Sequence, residues 1–405
     1  MKNKFFTLIF IFSCLICNAQ YSIVNKANVP GTYRHHAAGF SINGMGYIGT
    51  GEDDFGNLLN DWWMYNPTTD TWTAKANTIM SARSYTGSFS IGNKGYITCG
   101  NTASSYLSSL WEYEPTTDTW TQKTSFPGAA RRHPCMAVLN GEAYVGCGDG
   151  SSGNYDDFYK YNPTTNAWTL ITTFMGTKRH HPVAVALNGK LYVATGHDLN
   201  NVKSKELFVY DPSTSAWTQK TSIPGIGRIA PFGLVLNGKM VVGWGADEGT
   251  TNYNDYFSYN ETANTWTTYT YSAGVCLFAS VFFEINGKGY VGSGTYQGNC
   301  QNEFYEITDI NTDVASVSTN SAEVSVYPNP SNGKFNLKIS QFEDLKMKDI
   351  TIYNSQGERI YSAVNSQINS PSNFQIDLSE AKSGVYFYKV ADGNSTIASG
   401  KLVVE

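Results

Sequence analysis

Apolar and polar positions alternate in short runs along the first three quarters of the chain, with a period of two rather than the longer period of a helix. An apolar run, Ala37 to Ile42, meets an Asn-Gly turn and a second run, Gly46 to Thr50. The same phrase returns as "IGNKGYITCG", "LNGEAYVGCG", "LNGKLYVATG", "LNGKMVVGWG" and "INGKGYVGSG", six copies in all. After a variable loop comes a third run whose aromatics sit two apart, and so share one face: Trp63 and Tyr65, Trp111 and Tyr113, Tyr159 and Tyr161, Phe208 and Tyr210, Phe257 and Tyr259. A Pro-Thr-Thr-Asp type turn then leads into a fourth run carrying Trp72, Trp120, Trp168, Trp217 or Trp266, at intervals of 48 or 49 residues.

Each unit therefore reads as four antiparallel strands. Such a sheet leaves apolar residues on both faces, so the units are expected to pack radially around a channel. Six second strands predict six blades, yet only five Trp strands exist. Counting back 24 residues from Tyr47, as from Tyr96 to Trp72, lands on Ile23 in "YSIVNKAN". The start of the mature chain is thus predicted to supply the outermost strand of the last blade, beside "NEFYEI" at 302–307, so that the ring closes without a free terminal edge.

The glycine-pair strand, the aromatic pair, the "Y-[ND]-P-x-T-x-x-W" hairpin and an upstream Arg resemble kelch repeats, the motif of galactose-oxidase-like propellers, over residues 21–307. The last unit departs from the pattern, lacking the Pro, Thr and Trp. After Ile307, residues 308–323 lose their aromatics, Gly and Pro and read as a linker. The remainder, 324–405, alternates again in "KFNLKI" and "VYFYKV" and predicts a small β-sandwich. Its "YPNP", "NGKF", "IYNSQGERI", "SGVYFYKV" and "KLVV" resemble, in order, the type A C-terminal sorting domain of the type IX secretion system of Bacteroidetes. That resemblance implies recognition by the type IX machinery, passage across the outer membrane, and surface attachment or release. The fold class expected is all-β: a six-bladed kelch β-propeller over 20–307 plus a C-terminal β-sandwich.

Charge and composition narrow the partners. Charged residues make up 15% of the chain and the net charge is -5, which offers no basic surface for nucleic acid. Lys2 and Lys4 precede an apolar run, Phe5 to Ile16, and then "CNAQ"; this reads as a signal peptide, 1–19, cleaved after Ala19. The run is too short to span a bilayer, and no later stretch is long enough, so no transmembrane segment is expected. Five cysteines remain in the mature chain. Cys276 and Cys300 fall in one blade and towards one face, and are predicted to form a disulfide; Cys135 and Cys147 flank one hairpin.

The loops between second and third strands vary, and with the links between blades they form one face of the wheel. Thirteen residues before the tyrosine position of each second strand stand Arg34, Arg83, Arg131, Arg179 and Arg228, with Leu277 in the sixth unit. Two readings stand: guanidinium forks for an acidic ligand, or, since kelch units commonly carry this Arg, donors spent on the carbonyls of neighbouring blades. Phe55, Tyr106, Tyr155, Tyr253 and Tyr296 place an aromatic in most of the loops and suit a sugar ring or a protein surface. All six histidines fall towards the same face; without a tight ligand motif, and with a carboxylate such as Asp198 needed to complete a set, no metal and no other cofactor is expected. The copper chemistry of galactose oxidase needs a Cys, two Tyr and two His, a set this sequence does not match. The expectation is a non-catalytic module, secreted or held at the outer-membrane surface, that binds a polysaccharide or a surface protein. An enzyme on acidic sugars, resembling sialic-acid epimerases of the kelch type, is the alternative.

Overall fold

The computed structural model describes residues 21–247, 251–309, 323–340, 349–354, 359–364, 374–392 and 395–405. The predicted signal peptide lies outside these residues, as does most of the predicted linker. Contacts divide the chain into two compact units, with the boundary after Ile310. Among the described residues every regular element is a strand.

The first unit is a β-propeller built from six four-stranded antiparallel sheets. Blade 1 runs outward through Ala38–Ile42, Met45–Gly49, Trp62–Asn66 and Thr71–Lys75. Blades 2 to 5 repeat that order over 87–123, 135–173, 183–220 and 232–270. The sixth consists of Val281–Ile285, Lys288–Gly292 and Phe304–Asp309, with Tyr21–Asn25 as its outer strand. Ile23 pairs with Ile307, as the spacing of the repeat required. The same strand claims Thr308 and Asp309, opposite Ser22 and Tyr21, so the sheet continues two residues into the segment read as linker. Inner strands adjoin one another in order and the last adjoins the first.

Blades grip each other through the repeated hairpin. Asp70 accepts from the Tyr65 hydroxyl of its own blade (2.7 Å) and from the Ala27 N–H of the preceding one (3.0 Å). Trp72 Nε1 donates to the carbonyl of that same Ala27 (2.8 Å). The motif thus pinches one residue of the neighbouring backbone from both sides. Asn166 and Trp168 hold Thr124 in the same way, and Asn264 and Trp266 hold Thr221. The indoles also meet aromatics of the preceding blade edge to face: Trp72 with Phe304 (5.1 Å), Trp120 with Trp62 (5.2 Å), Trp217 with Phe158 (5.4 Å). Each such pair contributes about 0.5–1.5 kcal/mol beyond its buried area. Glycine is required where blades close up: a Cβ on Gly46 would stand 2.5 Å from the Phe283 ring of blade 6.

The second unit is the predicted β-sandwich. Glu323–Tyr327, Lys334–Ser340 and Phe374–Asp377 form one sheet; Arg359–Val364, Asp349–Tyr353, Gly384–Asp392 and Ser395–Val404 form the other. Phe335, Leu337, Ile350, Ile352, Ile376 and Leu402 fill the space between them. Asn329 of the "YPNP" stretch clasps the last strand, donating to the Lys401 carbonyl (2.7 Å) and accepting from the Val403 N–H (2.8 Å).

Candidate functional site: the histidine-lined mouth of the propeller

The arginine position is the root of the site. Arg34, Arg83, Arg131, Arg179 and Arg228 are all buried. Each Nε donates to the carbonyl two residues back, and one Nη donates to the carbonyl of the residue just after the second strand, Thr50, Cys99, Cys147, Thr195 or Trp244. The remaining donors meet a carboxylate at the start of the third strand: Asp61 (2.6 Å), Asp157 (2.5 Å), Glu206 (2.8 Å) and Asp255 (2.7 Å). These guanidiniums tie three segments of their own blade together, and their donors are spent inside the protein. Blade 2 departs: Arg83 finds the Ser109 hydroxyl (2.9 Å) where the others find a carboxylate.

Two of the predicted tyrosines belong to the same pillars. Tyr155 lies under Arg131 (4.3 Å) and Tyr253 under Arg228 (4.9 Å), while Tyr106 lies 5.8 Å from Arg132. Tyr106, Tyr155, Tyr253 and Tyr296 are half-buried; Phe55 alone of the set stands out, 89% exposed.

Two residues beyond each arginine position the chain turns onto the channel axis. His36, Tyr85, His133, His181, Ala230 and Ala279 occupy this place in blades 1 to 6, all with φ between 44° and 60°. A left-handed backbone costs a non-glycine residue of order 1–3 kcal/mol and persists only where its surroundings hold it. Here a belt of blade-to-blade bonds does so: His36 N–H to Ala279, Tyr85 to His36, His133 to Tyr85, Ala230 to His181, and Ala279 to Ala230. Gly196 lets blade 4 close beneath the ring, since a Cβ there would lie 2.7 Å from the His180 carbonyl.

The belt brings all six histidines together. His36 Nε2 lies 3.2 Å from His181 Nε2, and His181 Nδ1 lies 3.4 Å from His197 Nε2. His35 Nδ1 is 2.7 Å from His36 Nδ1. His133 Nδ1 bonds Asp149 Oδ1 (2.8 Å), whose other oxygen accepts from Arg132 Nε (3.0 Å); His180 Nδ1 bonds Asn154 Oδ1 (2.9 Å). Burial first, and then each other's charge, holds His36, His133 and His181 well below the ordinary imidazole range, and lowers His180 to about 4. The rings are therefore neutral at neutral pH. Beneath them lies a cavity of about 150 Å³, whose walls include His36, Tyr85, His133 and His181.

One sequence expectation needs correction. Cys276 and Cys300 are buried thiols, not a disulfide. Cys276 joins the apolar core with Phe232, Leu234 and Trp244 of blade 5, whereas Cys300 turns to blade 1, its N–H donating to Asp54 and its thiol facing the Glu52 carbonyl. They stand on opposite flanks of blade 6. Cys135 and Cys147 are likewise free thiols. Asp198 does not join the histidines; it caps its own loop by accepting from the Asn200 and Val202 N–H groups, and Asp149 is the carboxylate at the cluster. The convergence itself was legible only through the repeat register: Arg34/His36, Arg131/His133 and Arg179/His181 share one spacing.

Comparison with known proteins agrees with this architecture. The KLHDC2/KLHL20/DRC7 Kelch-repeats domain family matches residues 9–178, the Kelch motif family 178–224, and the secretion system C-terminal sorting domain family 325–405. A solved structure titled "Structure of YjhT" is similar at 16% identity and a TM-score of 0.61, covering 70% of this chain and 97% of that one, a likeness of fold alone. No curated protein matches the chain. No helix among the described residues is long and apolar enough to cross a membrane. The chain carries kelch-repeat domains and ends in a secretion system C-terminal sorting domain of the type IX kind, which points to secretion or the cell surface.

Proposed function

We propose that the propeller is a binding module, exported by way of its sorting domain, whose loop face takes a protein ligand outside the cell. The observation that carries this reading is the distribution of exposed apolar side chains. Tyr33, Phe55, Ile79, Met175, Leu199, Val202 and Ile226 are all exposed, and all lie in the loops and inter-blade links of one face. The opposite face is made of Asn-Gly and Pro-Thr-Thr-Asp turns whose polar side chains bond their own backbones. A rim of large apolar residues that the fold does not use marks an interaction surface. Five of the seven carry no aromatic ring, and four of the predicted aromatics are half-buried, which favours a protein over a polysaccharide.

A photo-crosslinking amino acid at Leu199, against the same label at Leu170 on the outer strand of blade 3, tests this on cells that export the protein. Leu170 is 59% exposed and Leu199 70%, so the two differ in place rather than in access. One defined protein adduct from position 199 alone, lost in a Phe55→Ser, Val202→Ser variant, is the expected result. Equal labelling from both positions, or glycan-array binding that the variant keeps, would overturn it. The second reading, an enzyme on acidic sugars, has one observation in its favour: the His133–Asp149 pair is a neutral imidazole held by a carboxylate in a cavity, the arrangement of a general base. Turnover of sialylated or uronate sugars that His133→Gln abolishes would select it.

A further inference from the structure

We propose that His36, His133 and His181 form a binding site for a divalent first-row transition-metal ion on the channel axis, with an open coordination position facing the cavity below. This goes beyond the binding reading and does not rest on it.

One ring nitrogen from each of the three residues lies within 4.8 Å of the others. The rings come from blades 1, 3 and 4, so the site is assembled by closing the wheel rather than by a local loop. The Nδ1 of each ring is already engaged: that of His36 by His35, that of His133 by Asp149, that of His181 by His197. This is the outer-shell pattern that fixes tautomer and ring orientation in imidazole metal sites, the Asp149–His133 pair being the carboxylate–histidine form of it. The opposite nitrogens are then the ones presented to the axis. His133 Nε2 is buried and has no hydrogen-bond partner, an expensive state for a polar atom unless something occupies the space it faces.

The spacing suits a metal. Two nitrogens bound at about 2.0–2.1 Å to a tetrahedral ion stand roughly 3.3 Å apart. His36 Nε2 and His181 Nε2 are 3.2 Å apart. Three neutral imidazoles with no carboxylate in the inner set select zinc, copper, nickel or cobalt over calcium or magnesium. Ala230 and Ala279 occupy the two other places on the belt, and the Phe278 ring lies against His36 (5.8 Å) and His181 (6.3 Å) on that side. The cavity of about 150 Å³ that these same rings line has room for a water or a small anion at a fourth position.

The test is a titration of full-length, chelator-treated protein with Co²⁺, followed by displacement with Zn²⁺. The expected result is one equivalent bound, with the visible absorption of a tetrahedral ion. His36→Gln and His133→Gln should each weaken binding by more than about 100-fold, since even outer-shell losses cost 10–100-fold. His180→Gln should leave the affinity within about tenfold, because His180 is absent from the proposed set and belongs instead to the two competing groups, with His181 and His197 and with His133 and Asp149. Thermal unfolding of each variant without metal separates loss of the site from loss of the fold; if one variant fails to fold, the other carries the comparison. No cobalt binding by the wild-type chain, affinity that survives both substitutions, or affinity lost in His180→Gln would each overturn the assignment.

Discussion

Blade 2 carries a buried arginine without the carboxylate that four other blades provide, and Ser109→Asp should supply it. Arg83 is 2% exposed, and burial pushes its guanidinium down from 12.5 to about 10. At about 1.4 kcal/mol per tenfold, that drop sets roughly 3 kcal/mol against the charged form. Ser109 stands where Asp61, Asp157 and Asp255 stand, one residue ahead of a buried third-strand side chain, and its hydroxyl already lies 2.9 Å from Nη1. A carboxylate there would complete the two-pronged contact that Arg34 makes with Asp61 through Nη1 and Nη2, both at 2.6 Å. Desolvating the new carboxylate offsets part of the gain. We expect a net 1–2 kcal/mol, about 2–4 °C in Tm for a domain of this size. The assay is thermal unfolding of wild type, Ser109→Asp, Arg83→Met and the double variant. If Ser109→Asp stabilises equally with and without Arg83, or destabilises with it, the account of the arginine pillars is wrong.

Burial raises the Asp118 carboxyl, but the Tyr113 hydroxyl, the Ala76 N–H and Lys75 outweigh it and hold it below the ordinary carboxylate range; Asp70 behaves alike. Their folded values lie below the unfolded ones, so the stability they add is complete above pH of about 4 and lost as pH falls through the folded values. Asn166 and Asn264 do the same work without a charge, so Asp70→Asn with Asp118→Asn should move the acid-unfolding midpoint to lower pH, as read by near-UV circular dichroism. The thiols of Cys99 and Cys276, raised to about 11 and about 12 by burial, should resist a thiol reagent until the protein unfolds; peptide mapping without reductant should recover Cys276 and Cys300 unlinked, and a linked pair would contradict the blade 6 geometry. Deleting 325–405 should stop export, and Leu402→Asp, which puts a charge into the sandwich core, should stop it as well; protein appearing at the surface in either case would separate export from the sandwich.

How much of this could be read in the sequence depends on whether a feature repeats. The hairpin "NPTTDTW" recurs, so its strands, their order and even the ring closure through Ile23 follow from spacing alone. What the Asp or Asn and the Trp do was not readable: they hold a residue of the previous blade 42 to 45 positions away in the chain. The arginines were legible as a set and ambiguous in purpose, because their carboxylates sit 26 or 27 residues on, beyond loops of unequal length. Cys300 misled for the same reason, since a loop residue can face either neighbouring blade, and sharing a blade and a face with Cys276 does not decide which.

The exceptions to the repeat carry the individuality of this protein. Where all blades agree, as at the glycine after the second strand, or all but the sixth, as at the buried tyrosine of the third, the residue serves the wheel and says nothing about use. At the axis position the blades disagree: His36, Tyr85, His133 and His181 are large and polar, and Ala230 and Ala279 are small. A ring made only to plug the channel has no need of three imidazoles whose outer nitrogens are each held by a separate partner. Blades 5 and 6 place alanines here, and on that side it is the Phe278 ring, one residue before Ala279, that meets His36 and His181. An uneven ring at a place where an even backbone belt is enforced means that side-chain identity there answers to something other than packing. The apolar rim on the same face gives that chemistry an approach, so that ligand binding at the rim and events at the histidines fall on one end of one channel.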